Sequence, residues 1–147
     1  MIIWEGYGNL FHSEATVLTC TVNTVGAMGA GIALKFKHKY PDVYQAYTVA
    51  CKAGKIKVGE PVITRALAGQ AILLFPTKKE WWFPSKLAWI EEGLRCLVKE
   101  PILHDPRTRL AMVPLGCSNG KLDYNRQVKP LLYQYLDPLP CRVKIFL

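Results

Sequence analysis

The chain has 147 residues, half of them hydrophobic, a size that suits one compact domain with most of its apolar surface buried. Its longest apolar windows, residues 71–75 and 110–113, fall far short of the roughly 18 residues of a membrane span. The N-terminus lacks the basic-then-apolar order of a secretory signal. The net charge of +8, dense at Lys35, Lys37, Lys39, Lys52, Lys55 and Lys57, favours encounter with polyanions, although many moderately basic domains bind no nucleic acid.

Residues 2–7 form a short apolar run bounded by Gly6 and Gly8 and are read as a first strand, with residues 16–22 as a second. Gly26, Gly29 and Gly31 follow within six residues. Ile32, Ala33, Phe36 and Tyr40 then recur at helical spacing, which turns Lys35, Lys37 and Lys39 toward water. Pro41 ends this helix and suits the first turn of another, whose face is Val43, Tyr44, Tyr47, Ala50 and Cys51 and which Gly54 terminates. Residues 61–66 and 70–75 are β-rich and are expected to form a hairpin or two adjacent strands. Residues 76–84 read as a polar and aromatic loop. Ser85 is the expected cap of a helix striped by Leu87, Ile90, Leu94, Leu97 and Val98. A connector at residues 101–107 leads to a short apolar strand at 110–113 and to a second small-residue loop at 114–120. Asp123 is the expected cap of a last helix, with Pro130 inside it as a kink or early stop. Residues 141–146 alternate as a final strand. Strands interleaved with amphipathic helices predict an α/β domain whose mixed sheet is covered on both faces.

Five scattered cysteines form no CxxC pair, and the three histidines lack ligand spacing. Neither a disulfide framework nor a zinc site is expected, and a reduced, cytoplasmic setting fits. The two glycine loops carry more information. Each follows an apolar strand, and glycines at a strand-to-helix junction, together with the unpaired first N–H groups of the helix, form a ready anion site. In open α/β sheets ligands lie beyond the carboxyl ends of the strands, so both loops can bracket one phosphorylated ligand. No Gly-Lys-Ser/Thr follows either loop, and Gly26-Ala-Met-Gly-Ala-Gly31 has the wrong spacing for GxGxxG, which disfavours nucleotide hydrolysis of the P-loop kind and Rossmann hydride transfer.

Asn-Thr-Val-Gly-Ala-Met-Gly-Ala-Gly-Ile-Ala-Leu-Lys-Phe-Lys at residues 23–37, Phe-Pro-Thr-Lys at 75–78 and Val-Pro-Leu-Gly-Cys at 113–117 resemble the signatures of macrodomains, the ADP-ribose-binding fold. The branch they resemble most holds the DarG antitoxins and the terminal ADP-ribose protein glycohydrolases. The resemblance runs in order from Gly8 to the end. It implies a three-layer α/β/α fold with a mixed central sheet, one macrodomain over residues 1–147, no metal or cofactor, and a monomer. The implied activity is an ADP-ribosyl glycohydrolase that releases ADP-ribose from DNA, at thymidine, as an antitoxin does. ADP-ribosylated single-stranded DNA is the implied substrate and a cognate ADP-ribosyltransferase toxin the implied partner. An enzyme acting on ADP-ribosylated protein or on ADP-ribose 1″-phosphate, and a non-catalytic ADP-ribose reader, are the alternatives.

Carried over by position, the resemblance places Asn9 and Leu10 at the adenine pocket. It places Asn23, Thr24, Val25, Gly26, Ala27, Met28, Gly29, Ala30, Gly31 and Ile32 around the distal ribose and nearby phosphate, with Pro76 and Thr77 beside them. Leu115, Gly116, Cys117, Ser118, Asn119 and Gly120 close over the diphosphate from the other side. Lys78 matches the catalytic lysine of the branch, with Asn23 assisting by a hydrogen bond to a ribose hydroxyl or a water. An amine made partly neutral by desolvation or by neighbouring Lys79 can attack the electrophilic C1″ carbon, and a charged one can stabilise the leaving group. A solvated loop lysine is the bland alternative. Lys79, Trp81 and Trp82, followed by Phe83, suggest a stacking platform for bases, with the aromatic run split between core and substrate. Cys117 is read as packing rather than nucleophile. Ser118 replaces the glycine common in this loop. Gly120 stands where the protein-directed enzyme has an aspartate, which favours DNA-directed chemistry.

Overall fold

The computed structural model describes residues 3–80 and 82–147. Ile2 of the expected first strand and Trp81 of the aromatic run lie outside them. Six strands, β1 (Ile3–Gly6), β2 (Val17–Asn23), β3 (Val62–Arg65), β4 (Ala71–Lys78), β5 (Arg109–Met112) and β6 (Arg142–Phe146), form one mixed sheet in the order β1-β6-β5-β2-β4-β3. Every neighbouring pair is parallel except the antiparallel β3–β4 hairpin. All eight residues of β4 are buried. Successive strand residues point to opposite faces, so such a strand must be covered on both. The cover comes from two packed helix pairs, α1 (Gly31–Lys39) with α2 (Pro41–Lys52) and α3 (Leu87–Leu97) with α4 (Lys129–Leu136). The three-layer α/β/α architecture read from the sequence is the one observed.

Local chemistry explains most of the boundaries. Pro41 opens α2, where its missing N–H costs nothing. Ile90, Leu94 and Leu97 on α3 are fully buried, and Gly93 lets the helix close on the sheet: a Cβ there would lie 2.4 Å from Cζ of Phe75.

Three local expectations are corrected. Residues 76–78 belong to β4 rather than to a loop. The last β3 pairing is Val62 with Leu74, so beyond it β4 is bonded on its β2 side, and Pro76 removes no ladder donor toward β3. Ser85 does not cap α3, whose cap position is Lys86 with no side-chain bond. Ser85 is instead buried against the second glycine loop, its N–H donating to the Gly120 carbonyl at 3.0 Å. Pro130 does not kink the last helix. Asp123 caps a π-helical turn (Tyr124–Val128), its carboxylate accepting from Arg126 N–H, and α4 starts only at Lys129, with Pro130 in its first turn.

Candidate functional site

The carboxyl ends of β2 and β4 and the loop after β5 surround a cavity of about 630 Å³. Asn23, the last residue of β2, organises the first wall. Its Oδ1 accepts from Val25 N (3.1 Å) and Ala27 N (3.2 Å), and its Nδ2 donates to Ala27 O (2.9 Å). The Tyr47 hydroxyl on α2 reaches the same Oδ1 at 2.9 Å and the Asn23 carbonyl at 2.7 Å. Burial pushes the Tyr47 phenol well above its ordinary value, which keeps it a neutral donor. With Oδ1 shared by three donors, the remaining Nδ2 hydrogen is what Asn23 can offer a ligand. The expected hydrogen bond to a ribose hydroxyl or a water would then be one that Asn23 donates.

The turn that Asn23 folds ends in α1. Ala30 at its cap position makes no side-chain hydrogen bond, so no side chain competes for the first N–H groups. Gly29, Ala30, Gly31 and Ile32 line the cavity there. Gly116 (φ +71°) gives the opposite loop its left-handed turn. Gly120 packs so closely that a Cβ would lie 2.4 Å from the Gly116 carbonyl oxygen and from Ser85 Oγ.

A β-bulge sets the base of the cavity. Val22 pairs with Pro76, but Asn23 pairs with Lys78, so Thr77 is one residue in excess on β4. The bulge brings the Lys78 and Asn23 backbones level. Lys78 is only 9% exposed, which replaces the solvated-loop alternative with a strand lysine lining a pocket. Burial, reinforced by the positive charge of Lys121, lowers its ammonium pKa from the ordinary lysine value. Lys121, not the expected Lys79, is the charged neighbour. Lys121 has a positive φ of 64°, unusual for a side-chain-bearing residue.

Of the residues expected at the ligand, Asn23, Ala27, Gly29, Ala30, Gly31, Ile32, Thr77, Lys78, Gly116, Cys117, Ser118, Asn119 and Gly120 line the cavity. The others do not. Asn9 is exposed and caps a 3₁₀ turn (Leu10–His12) by accepting from Phe11 N, while Leu10 is a core residue. Met28, Pro76 and Leu115 are buried outside the lining. Val25 points to solvent and Gly26 packs near Cys51 and Thr48. Thr24 ties the first wall to β4, its N–H donating to Lys78 O at 3.1 Å and its hydroxyl to Lys79 O at 2.8 Å.

Thr21, Val22, Ala33 and Pro114 also line the cavity and were not anticipated. Strand alternation from Asn23 signals Thr21, and helix continuation from Ile32 signals Ala33. Cys117 has its thiol pushed up to about 11 by burial and by Asp123, so it is protonated at neutral pH, consistent with packing. Trp82 and Phe83 are both more than half exposed, with ring centroids 5.7 Å apart, so neither of these two rings enters the core. The Lys79 ammonium lies 5.7 Å from the centroid of Trp89, an aromatic neighbour the sequence did not flag, and Lys86 lies 5.2 Å from the same ring.

Two small-residue loops and an uncapped helix N-terminus at the carboxyl ends of parallel strands define an α/β domain built to hold an anionic ligand. The Macro domain family profile matches residues 20–129, and the chain belongs to the macrodomain family. It is 43% identical over 136 residues to the DNA ADP-ribosyl glycohydrolase of Thermus aquaticus, an alignment that takes in 90% of this chain and 37% of the relative. It is 36% identical over 158 residues to a DNA ADP-ribosyl transferase-DNA ADP-ribosyl glycohydrolase fusion protein of Thermosipho africanus, covering 95% of this chain and 40% of that protein. The chain thus spans well under half the length of these relatives. Among solved structures, the macrodomain of Mycobacterium tuberculosis DarG superposes with a TM-score of 0.88 at 37% identity, over 99% of this chain and 97% of that one. Thermosipho africanus DarTG in complex with ADP-ribose gives 0.82 at 35% identity, over 95% and 40%.

Proposed function

We propose that this chain is an ADP-ribosyl glycohydrolase that releases ADP-ribose from thymidine in single-stranded DNA. The observation that carries the proposal is Lys78: a buried amine of lowered pKa, held level with Asn23 at the base of a cavity rimmed by two anion-binding loops. The similarity to DNA ADP-ribosyl glycohydrolases supports DNA as the substrate. In this reading the diphosphate lies between the first turn of α1 and the loop 116–120, where backbone N–H groups face it. Asn23 Nδ2 donates to the distal ribose. The neutral Lys78 amine adds to C1″ as the glycosidic bond breaks and the electron pair leaves with the base; water then cleaves the C–N bond and frees ADP-ribose. Partnership with an ADP-ribosyltransferase is supported by the fused relative, and we place the pair in the cytoplasm.

The test incubates the protein with single-stranded DNA carrying ADP-ribosyl thymidine, with an ADP-ribosyl-glutamate peptide and with ADP-ribose 1″-phosphate. Release from DNA alone is expected, with Lys78→Ala slower by at least about a hundredfold. No release from DNA by the wild type refutes the proposal, and full activity in Lys78→Ala removes the lysine from it.

A further inference from the structure

A second concavity, of about 460 Å³, lies over β5 and β6 beside Trp4 of β1 and shares no lining residue with the first cavity. Among the described residues its lining contains none from an α-helix, and Trp4, Arg109 and Arg142 are exposed there beside the buried Ala111 and Phe146. By alternation Arg142, Lys144 and Phe146 share one face of β6. The register sets Lys144 beside Trp4 of β1 and Arg142 beside Arg109 of β5.

The Trp4 side chain is 51% exposed and yet has a built seat. A Cβ on Gly6 would lie 2.3 Å from Cη2 of Trp4, so the indole occupies space that only a glycine two residues on leaves open. The Lys144 ammonium lies 4.1 Å from the Trp4 ring centroid and 4.6 Å from that of Phe146. None of the three cations takes part in an ion pair among the described residues, and Glu14 is the one carboxylate in the lining. A positively charged groove beside a seated, half-exposed aromatic ring has the composition of a surface for single-stranded nucleic acid: cations follow the phosphates and unpaired bases stack. An acidic peptide would use the cations and leave the indole idle.

We propose that this face is a second binding site, independent of ADP-ribose, for unmodified single-stranded DNA flanking the modified base. Arg109, Arg142 and Lys144 contact phosphates and Trp4 stacks on a base. The choice of DNA as occupant rests on the substrate proposed above.

The test measures fluorescence anisotropy of a labelled, unmodified oligothymidylate with the full chain in saturating free ADP-ribose, which fills the other cavity. Trp4→Ala is expected to weaken binding about tenfold with the salt dependence unchanged. The triple variant Arg109→Gln, Arg142→Gln, Lys144→Gln is expected to weaken it further and to flatten the slope of log K against log salt by about 2, at roughly 0.7 for each phosphate no longer neutralised. Both variants should release ADP-ribose from free ADP-ribosyl thymidine at the wild-type rate. Absence of binding by the wild type, wild-type affinity in both variants, or equal displacement by polyglutamate would overturn the proposal. Failure of the wild type to release ADP-ribose from any DNA substrate would instead count against the glycohydrolase reading, because the anisotropy measurement does not depend on turnover.

Discussion

At the scale of single residues, Asn23 and Lys78 each depend on a neighbour distant in sequence. The Tyr47 hydroxyl bonds both the carbonyl and the amide oxygen of Asn23, so it fixes the amide that folds the first wall. Tyr47→Phe leaves those buried acceptors short of a donor and should destabilise the protein by about 1–3 kcal/mol. Calorimetric titration should show weaker ADP-ribose binding in the same variant. Tight binding in a destabilised variant would reduce Tyr47 to a packing residue. Lys121 bears on Lys78 through charge. The neutral amine is the proposed nucleophile, so turnover should rise with pH through the lowered Lys78 pKa and level off above it. Removing the second charge in Lys121→Gln lets that pKa climb back toward the ordinary lysine value. The rise should then move to higher pH and the rate at neutral pH fall by about threefold to tenfold, up to tenfold per pKa unit. An unchanged pH profile would eliminate the coupling. The sign for stability follows from the same shift. The unfolded chain holds this proton to higher pH than the folded one, so Lys78 costs stability below its folded pKa, and the cost fades as pH rises toward the ordinary lysine value.

At the scale of elements, the second glycine loop is the least tolerant part of the site. Gly120→Ala drives a Cβ to 2.4 Å from a backbone oxygen, a clash that only movement of the backbone relieves. A loss of about 1–3 kcal/mol is expected in thermal melts, as for other overpacked sites, and ADP-ribose affinity should fall with it. Unaltered melting and binding would mean that the loop has room to shift. The elements themselves were largely legible. Short apolar or β-rich runs marked β1, β2 and β5, alternation marked β6, and the stripe from Leu87 to Val98 marked α3, because burial writes itself into composition and spacing. What spacing could not carry was decided by tertiary partners. β4 runs through Pro76 because the hairpin partner has already ended, and Ser85 turns inward because Gly116 and Gly120 leave room for it. In the site, the motif residues 23–32, 75–78 and 113–120 marked the walls. The couplings of Asn23 to Tyr47 and of Lys78 to Lys121 join segments 24 and 43 residues apart, beyond the reach of any local pattern.

At the scale of the whole molecule, the +8 charge is spread over more than one surface. Lys35 and Lys39 are exposed on α1, whose first turn lines the cavity, and Arg109 and Arg142 are exposed at the start of β5 and β6. No helix among the described residues is long and apolar enough to cross a membrane. A ligand that binds only the folded state adds to its stability by mass action. ADP-ribose at a hundred times its Kd should therefore add about 2.7 kcal/mol, a rise of roughly 5–10 °C in melting temperature for a domain of this size. A flat melting temperature across that titration would contradict ADP-ribose as the ligand.

The extra residue in β4 has a consequence for how this pocket can change. Thr77 is the residue in excess between the Val22–Pro76 and Asn23–Lys78 pairings, and such an extra residue bends its strand and sharpens the local twist. Removing Thr77 would keep the lysine opposite the asparagine, with both glycine loops in place, yet straighten β4 and re-aim the amine within the cavity. Reactivity here is encoded by a count along the backbone as much as by side-chain identity. On the glycohydrolase reading, a single-codon deletion would therefore slow cleavage while leaving ADP-ribose binding intact.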